Sequence, residues 1–335
     1  MSTLRRILLQ KDKNCKSVWF MRQAGRYLPQ FRKIRSQNQD FIKLCLNSKL
    51  SSRITLQPIK KFDLDSAIIF SDILMVPYAL GQEIKFIKDQ GPKLDDFILE
   101  KFLDINENEF SKKLHPVYEA IKITRSNLDK KKSLIGFVGA PWTLLVYMLN
   151  IKKNKSEIDF DKLDKNKINI QQIIKKLIKF LSLHISNQIN AGADVVQIFD
   201  SWSGLIPEND IKDYCYIPNA KIVEFCKEKK IPSICFPRGI KEKYKEFNEM
   251  VKPEGINLDY TIDPIWAKNN LKNVVLQGGL DPKFLLESEE LMFRGATKYI
   301  KAFQDIPYIF NLGHGLLPET DPDRVKKLIE FYRNY

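Results

Sequence analysis

Eight short apolar, β-rich runs punctuate the chain, each followed by a cluster of Gly, Pro or polar residues and then by a longer amphipathic segment. In order they are SVWFM (Ser17–Met21), DSAIIF (Asp65–Phe70), SLIGFV (Ser133–Val138), ADVVQIF (Ala193–Phe199), PSICF (Pro232–Phe236), GINL (Gly255–Leu258), NVVLQ (Asn273–Gln277) and YIFNL (Tyr308–Leu312). Strands buried on both faces read as continuous apolar runs rather than alternating ones, and most of these do. The segments between them carry helical spacing. INIQQIIKKLIKFLSLHISNQINAG, for instance, ends on Gly192, a residue suited to close a helix. Strands alternating with helices predict parallel βαβ units.

The count decides the architecture. Eight units in 335 residues, about 42 residues each, fit a single (β/α)8 TIM barrel, and residues 1–335 read as one domain. A doubly wound sheet also alternates strand and helix, but its glycine fingerprint is missing after the first run. No internal repeat and no Ser/Gly-rich linker divides the chain. One insertion, Glu83–Leu94, follows the second run and reads as a hairpin or extended arm with a Gly91-Pro92 turn, placed to cover the barrel mouth or to reach a neighbouring subunit.

Composition excludes several classes. With 44% hydrophobic and 29% charged residues, neither disorder nor a collagenous chain fits. The formal net charge of +14 comes mostly from lysine in a chain also rich in Ile, Asn and Phe. That reads as a solvated lysine surface or as a field that attracts polyanions. No nucleic-acid recognition motif accompanies it, so nucleic acid is not an expected partner. The five cysteines form no C-x-x-C pair and the N-terminus has no apolar h-region. No stretch is regular enough for a membrane span, so a reducing cytoplasm is expected. The three histidines lie far apart in the sequence, and with no H-E-x-x-H motif a metal site is not expected.

In a barrel of this kind the active site is built at the C-terminal ends of the strands. After the first run come Arg22-Gln23-Ala24-Gly25-Arg26-Tyr27; after the second, Ser71-Asp72; after the third, Gly139-Ala140-Pro141. The fourth to sixth lead into Asp200-Ser201-Trp202, Pro237-Arg238-Gly239 and Asp259-Tyr260-Thr261, and the last two into Gly278-Gly279 and Gly313-His314-Gly315. Arg22 and Arg26, four apart, would share a face if helical, and guanidinium groups match carboxylates or phosphates through paired hydrogen bonds. Asp72 follows an apolar run, so its carboxylate needs a cation or N–H donors; it reads equally as a helix N-cap. Glycines on both sides of His314 let the backbone approach a ligand and present the ring. His115 and His184 read as structural, Tyr147 as core, and Ser201 as a cap for the next helix. These residues point to acid–base or electrostatic catalysis on an anionic substrate without a cofactor.

Six strand-end segments carry a resemblance: MRQAGRYLPQFRKIR, FSDILMVPYALG, GFVGAPWTLLVYML, QIFDSWSG, QGGLDP and NLGHGLLPETDPDRV. Together they resemble the uroporphyrinogen decarboxylase family, in order from about residue 18 to 325. RQAGRYLP and NLGHG are the specific motifs; the others support them. The resemblance implies a barrel, usually a homodimer, that removes four acetate carboxyl groups from the tetrapyrrole uroporphyrinogen III to give coproporphyrinogen III, without metal or prosthetic group. It implies Arg22, Gln23, Ala24, Gly25 and Arg26 as a substrate-binding segment and Asp72 as the central catalytic carboxylate. Tyr147, Ser201 and His314 match the family's other substrate contacts. The chain departs from the pattern at Arg238, where relatives commonly carry Lys, and at Gly279, often Asn. A corrinoid-dependent methyltransferase, a phosphosugar barrel enzyme or a tetrapyrrole carrier are the alternative readings.

Overall fold

A computed structural model describes residues 1–87, 91–154, 157–165 and 167–335. Its strands are β1 (Ser17–Val18), β2 (Ser66–Ile68), β3 (Ile84–Ile87), β4 (Gly91–Leu94), β5 (Ser133–Gly139), β6 (Val195–Asp200), β7 (Ser233–Pro237), β8 (Gly255–Leu258), β9 (Val275–Gly278) and β10 (Tyr308–Phe310). Among the described residues, eight of them form one sheet in the order β1-β10-β9-β8-β7-β6-β5-β2, every neighbouring pair parallel. All eight predicted runs supply a strand of this sheet, which curls into a nearly closed barrel of the (β/α)8 kind.

The sheet ends at β1 and β2, and Asp65 joins them. Its backbone N–H donates to the Val18 carbonyl at 3.0 Å, and its carboxylate accepts from the Val18 N–H at 2.7 Å. Arg333, on the last helix, holds the same carboxylate at 2.7 Å. A side chain thus substitutes for ladder bonds where two such short strands cannot supply them.

Two apolar layers explain the continuous runs. Inside the barrel, Met21, Ile68, Ile135, Val195, Ile234, Phe236, Val275 and Ile309 pack together. Helix Thr3–Gln10 plugs the N-terminal end of the barrel with Leu4, Ile7 and Leu8. Outside, alternate residues such as Val196, Ile198 and Ile256 face the helical ring. The interior also carries a polar layer. Trp19 Nε1 donates to Gln277 Oε1 at 2.9 Å, while Gln277 Nε2 donates to Asn257 Oδ1 at 2.7 Å and to Gln197 Oε1 at 3.2 Å. Each member answers another, which lets polar side chains lie in a closed core, with Gln197 Nε2 the one amide group of the set that has no partner among the described residues.

Local signals set the helix ends. Gly192 lies at φ +116° just past helix Lys167–Asn190, where its N–H donates to the Ile189 carbonyl and the Ala193 N–H to that of Gln188. That is a Schellman closure. Asp263, Asp281 and Asp321 each cap a helical segment that opens with proline.

The insertion forms an antiparallel hairpin of β3 and β4. Gly91-Pro92 is not its turn: Gly91 pairs with Ile87 and Pro92 with Phe86, so the dipeptide opens the second strand. A two-stranded ribbon has only edge strands, where proline's missing N–H is tolerated. The turn itself, and so the question of what its tip covers, lies outside the described residues. Its base is tied down by Gln82 Nε2 donating to the Met148 carbonyl, and nearer the turn Phe86 packs against Phe41, ring centroids 4.6 Å apart.

Candidate active site

The segment after β1 is a succession of turns, not a helix, so spacing does not bring Arg22 and Arg26 together. Arg22 adopts φ +62°, the left-handed region that costs a side-chain-bearing residue free energy. A Cβ on Gly25 would stand 2.6 Å from the Arg22 carbonyl oxygen, so only glycine closes this turn. Gln23 is fully buried and committed: its Oε1 accepts from the Phe20 N–H at 3.0 Å and its Nε2 donates to the Ser66 carbonyl at 3.0 Å. The Tyr27 hydroxyl donates to the Gln23 carbonyl at 2.9 Å. Gln23 and Tyr27 therefore brace the loop that carries both arginines; the Gln23 side chain does not face the mouth. Ala24 and Gly25 are half-buried in the same loop, and Arg26 is exposed.

Arg22 is open to water in the mouth, yet the protein around it strips enough hydration to lower its pKa. The charge of Arg26 adds to that lowering, while Asp72 and Tyr147 oppose it. Arg22, Arg26, Asp72 and Tyr147 therefore share one electrostatic neighbourhood.

Asp72 stands on the barrel floor just beyond β2. Its Oδ1 accepts from the Leu74 N–H at 2.8 Å and its carbonyl from the Met75 N–H at 3.1 Å, at the entrance to helix Met75–Ala79. Asp72 thus starts the turn that leads into this helix, whose N-cap position is Leu74, and its Oδ2 has no hydrogen bond among the described residues. Burial raises the carboxyl pKa to about 6, against the lowering effects of the Leu74 N–H and Arg22.

Tyr147 projects from helix Pro141–Met148, which starts at the Gly139-Ala140-Pro141 corner. Its ring meets that of Trp202 edge-on at 6.0 Å, and burial raises its phenol pKa. It is half-buried rather than enclosed in the core. Ser201 lines a cavity of about 190 Å³ with Arg238, Gly239, Tyr260 and Thr261. The hydroxyl that returns to the strand end is that of Ser203, whose Oγ donates to the Asp200 carbonyl at 2.8 Å.

His314 is half-buried, and its Nδ1 accepts from the Gly315 N–H at 2.7 Å. That bond makes Nδ1 the acceptor and leaves the proton on Nε2, so the ring offers a neutral donor. Burial, reinforced by Arg22 and Arg238, pushes its pKa down to about 3. The flanking glycines make room for protein, not for a ligand. A Cβ on Gly313 would stand 2.4 Å from the Tyr260 nitrogen, and one on Gly315 would stand 2.4 Å from Arg22 Cδ. His184, by contrast, is buried beside Tyr118, with Nδ1 3.0 Å from the hydroxyl, as its helical setting suggested.

A hollow of about 860 Å³ lies at the opposite end of the barrel, lined by Leu8, Lys11, Lys252 and Glu254 among others, and it holds none of these residues. Among the described residues, no three His, Cys, Asp or Glu side chains form a group that could hold a metal ion. The five cysteines are free and buried. No helix among the described residues is long and apolar enough to cross a membrane.

Comparison with known proteins is decisive on the family. The model of uroporphyrinogen decarboxylase (URO-D) matches residues 1–335. The chain belongs to the uroporphyrinogen decarboxylase family. It is 40% identical over 336 residues to the uroporphyrinogen decarboxylase of Rickettsia felis, covering 98% of this chain and 95% of that one. To the enzyme of Orientia tsutsugamushi (strain Boryong) it is 38% identical, covering 100% and 99%. Its activity is that of a uroporphyrinogen decarboxylase in haem biosynthesis. A methyltransferase from Methanosarcina mazei superposes with a TM-score of 0.67 at 16% identity, covering 86% of each chain. That likeness is one of fold alone.

Proposed function

We propose that the mouth of the barrel binds uroporphyrinogen III with Arg22 and Arg26 on its carboxylate rim and Asp72 beneath its centre, and that each of the four acetate arms loses CO2 there. The observation that carries this reading is the Asp72 carboxylate: one oxygen fixed by the Leu74 N–H, the other free, amid the charge of Arg22. The substrate presents eight carboxylates around four pyrrole N–H donors. A free carboxylate oxygen at the centre answers the donors, and arginines answer the rim.

Losing CO2 from an acetate on a pyrrole needs somewhere for the C–C bonding pair to go. Protonating the ring carbon beside the arm makes the pyrrole a cation. The bond to the carboxylate then breaks, its electron pair neutralises the ring as an exocyclic methylene, and CO2 leaves. A second proton on the methylene carbon, with loss of the ring proton, gives the methyl group, so each arm consumes one proton net. Asp72 stabilises the cation as it forms, a preorganised charge aimed at charge that develops only in the transition state. Tyr147, Ser201 and the His314 Nε2–H supply neutral hydrogen bonds to the remaining arms.

The test is anaerobic incubation with freshly reduced uroporphyrinogen III, no metal or cofactor added, and separation of the oxidised products by carboxyl count. Wild type yields the four-carboxyl product; Asp72→Asn loses about a hundredfold in rate. Full turnover by the Asn variant would remove Asp72 from the mechanism. Residues 1–335 act as one domain in this reading, as a cytoplasmic homodimer without prosthetic group. Sedimentation of the purified chain checks the dimer.

A further inference from the structure

Arg238 stands just beyond β7 with no role in the account above. Its backbone is held from several sides. The N–H donates to the Asp200 carbonyl at 3.1 Å, and the carbonyl accepts from the Gly204 N–H at 2.9 Å and Ser203 Oγ at 3.1 Å. The next residue, Gly239, donates its N–H to Asp259 Oδ2 at 2.8 Å. A Cβ on Gly204 would stand 2.6 Å from the Gly239 carbonyl oxygen, so the loops after β6 and β7 touch here only because residue 204 is glycine, while Gly239 turns the chain at φ +84°. The backbone is rigid, but the guanidinium makes no hydrogen bond or ion pair among the described residues.

Arg238 lines the cavity of about 190 Å³ shared with Ser201, Tyr260 and Thr261. Asp259 lines it too, but its oxygens are occupied. Oδ2 accepts from Gly239 and, at 3.1 Å, from the Tyr244 hydroxyl, while Oδ1 accepts from the Thr261 N–H at 2.9 Å and the Thr261 hydroxyl. Arg238 is close enough to Arg22 and His314 for its charge to disfavour a positive charge on either. A cation that repels its neighbour and has no partner among the described residues is set for an anion from outside. The cavity is large enough for a short carboxylate arm.

We propose that Arg238, with Ser201 beside it, forms a carboxylate subsite that grips one arm of the tetrapyrrole, a third rim contact on the side of the mouth formed by the loops after β6 and β7. The assignment rests on the reading of the mouth as the substrate site, and its test separates the two. Arg238→Gln, Arg238→Lys and Arg22→Gln are assayed for kcat and KM with uroporphyrinogen III, and for binding of coproporphyrinogen III. Arg238→Gln raises KM about 10- to 100-fold, the effect of losing a charge-assisted hydrogen-bond pair, with kcat within about threefold. The Lys variant recovers most of the loss by restoring charge. Equal weakening of coproporphyrinogen binding identifies the gripped arm as a propionate, which the product keeps; unchanged product binding identifies an acetate. An unchanged KM in Arg238→Gln, or a raised KM that Lys does not rescue, overturns the subsite. Arg238→Gln without effect beside an impaired Arg22→Gln sinks this assignment alone, whereas both without effect sink the reading of the mouth as well.

Discussion

Replacing Asp72 by Asn should make the protein more stable as it makes it less active. The substitution is close to isosteric and keeps an acceptor for the Leu74 N–H. What it removes is a charge that the fold disfavours, since the carboxyl pKa rises from 3.8 to about 6. Because the folded value lies above the unfolded one, the ionised group opposes folding. The cost is absent below the unfolded pKa, grows as pH rises towards 6, and is complete above it. At about 1.36 kcal/mol per pKa unit, the roughly two-unit difference is about 3 kcal/mol at neutral pH. An unfolding entropy of about 2.1 cal/mol/K per residue gives about 0.7 kcal/mol/K for this chain, so the Asn variant should melt about 4 °C higher. Thermal unfolding of both proteins between pH 4.5 and 8 is the assay, and by pH 4.5 the gap should shrink to about a third. An Asn variant no more stable at pH 8, or a gap that does not narrow on acidification, would refute the claim that the floor of the barrel opposes the charge it holds.

Further outcomes follow from the same geometry. The kcat/KM of the wild type should fall about tenfold per pH unit below about 6, set by Asp72 and not by His314, which titrates at about 3. Because Arg22 lowers the Asp72 pKa, Arg22→Gln should move that limb upward; a limb that stays in place would separate the two charges. Gly315→Ala puts a methyl group 2.4 Å from Arg22 Cδ, and should raise KM about tenfold with little change in melting temperature. An unchanged KM would mean that Arg22 is free to shift without loss. Asp65→Ala leaves the Val18 N–H without its carboxylate partner and opens the β1–β2 seam, costing about 1–3 kcal/mol in urea unfolding. Asp65→Asn should recover part of it, and equal stability of wild type and the Ala variant would show the seam to be closed by other means.

The eight strands were legible because burial on both faces imposes one signature, the unbroken apolar run, wherever the chain enters the barrel. Helix ends were legible where chemistry is local, as at Gly192. The rest depended on contacts between distant segments. Asp65 closes the seam by reaching Val18 and Arg333, a pairing that no local spacing encodes. The glycines around His314 answer to Tyr260 and Arg22 across the mouth, so the expected approach to a ligand became an approach to protein. Spacing puts Arg22 and Arg26 on one face only if their segment is helical; the tight Gly25 turn and the left-handed Arg22 carry them instead. Within the resemblance-derived segment, Gln23 could not be told from its neighbours until both ends of its side chain proved occupied. Arg238 was visible at a strand end, but nothing in the sequence said that its backbone would be fixed while its guanidinium was left free.

The arrangement of charge in the mouth also bears on which carboxylates the arginines can hold. A cation beside the carboxylate that is about to leave stabilises the ground state more than the transition state, because the negative charge disappears from that group as CO2 departs. Such a contact would slow the step. Arginine is therefore useful on arms that are not reacting, where it neutralises charge that would otherwise drive Asp72 to take up a proton. With its pKa already near 6, Asp72 has little margin against further carboxylates at close range. His314 fits the same logic: held neutral, it offers Nε2–H without adding a cation at the centre. A protonated imidazole there would either stabilise the leaving carboxylate in the ground state and slow its departure, or pair with Asp72 and neutralise the charge that the ring cation needs. On this reading the mouth keeps its guanidinium groups for the non-reacting arms and leaves one anion at the middle. Each of the four acetates must then be turned away from arginine before it reacts.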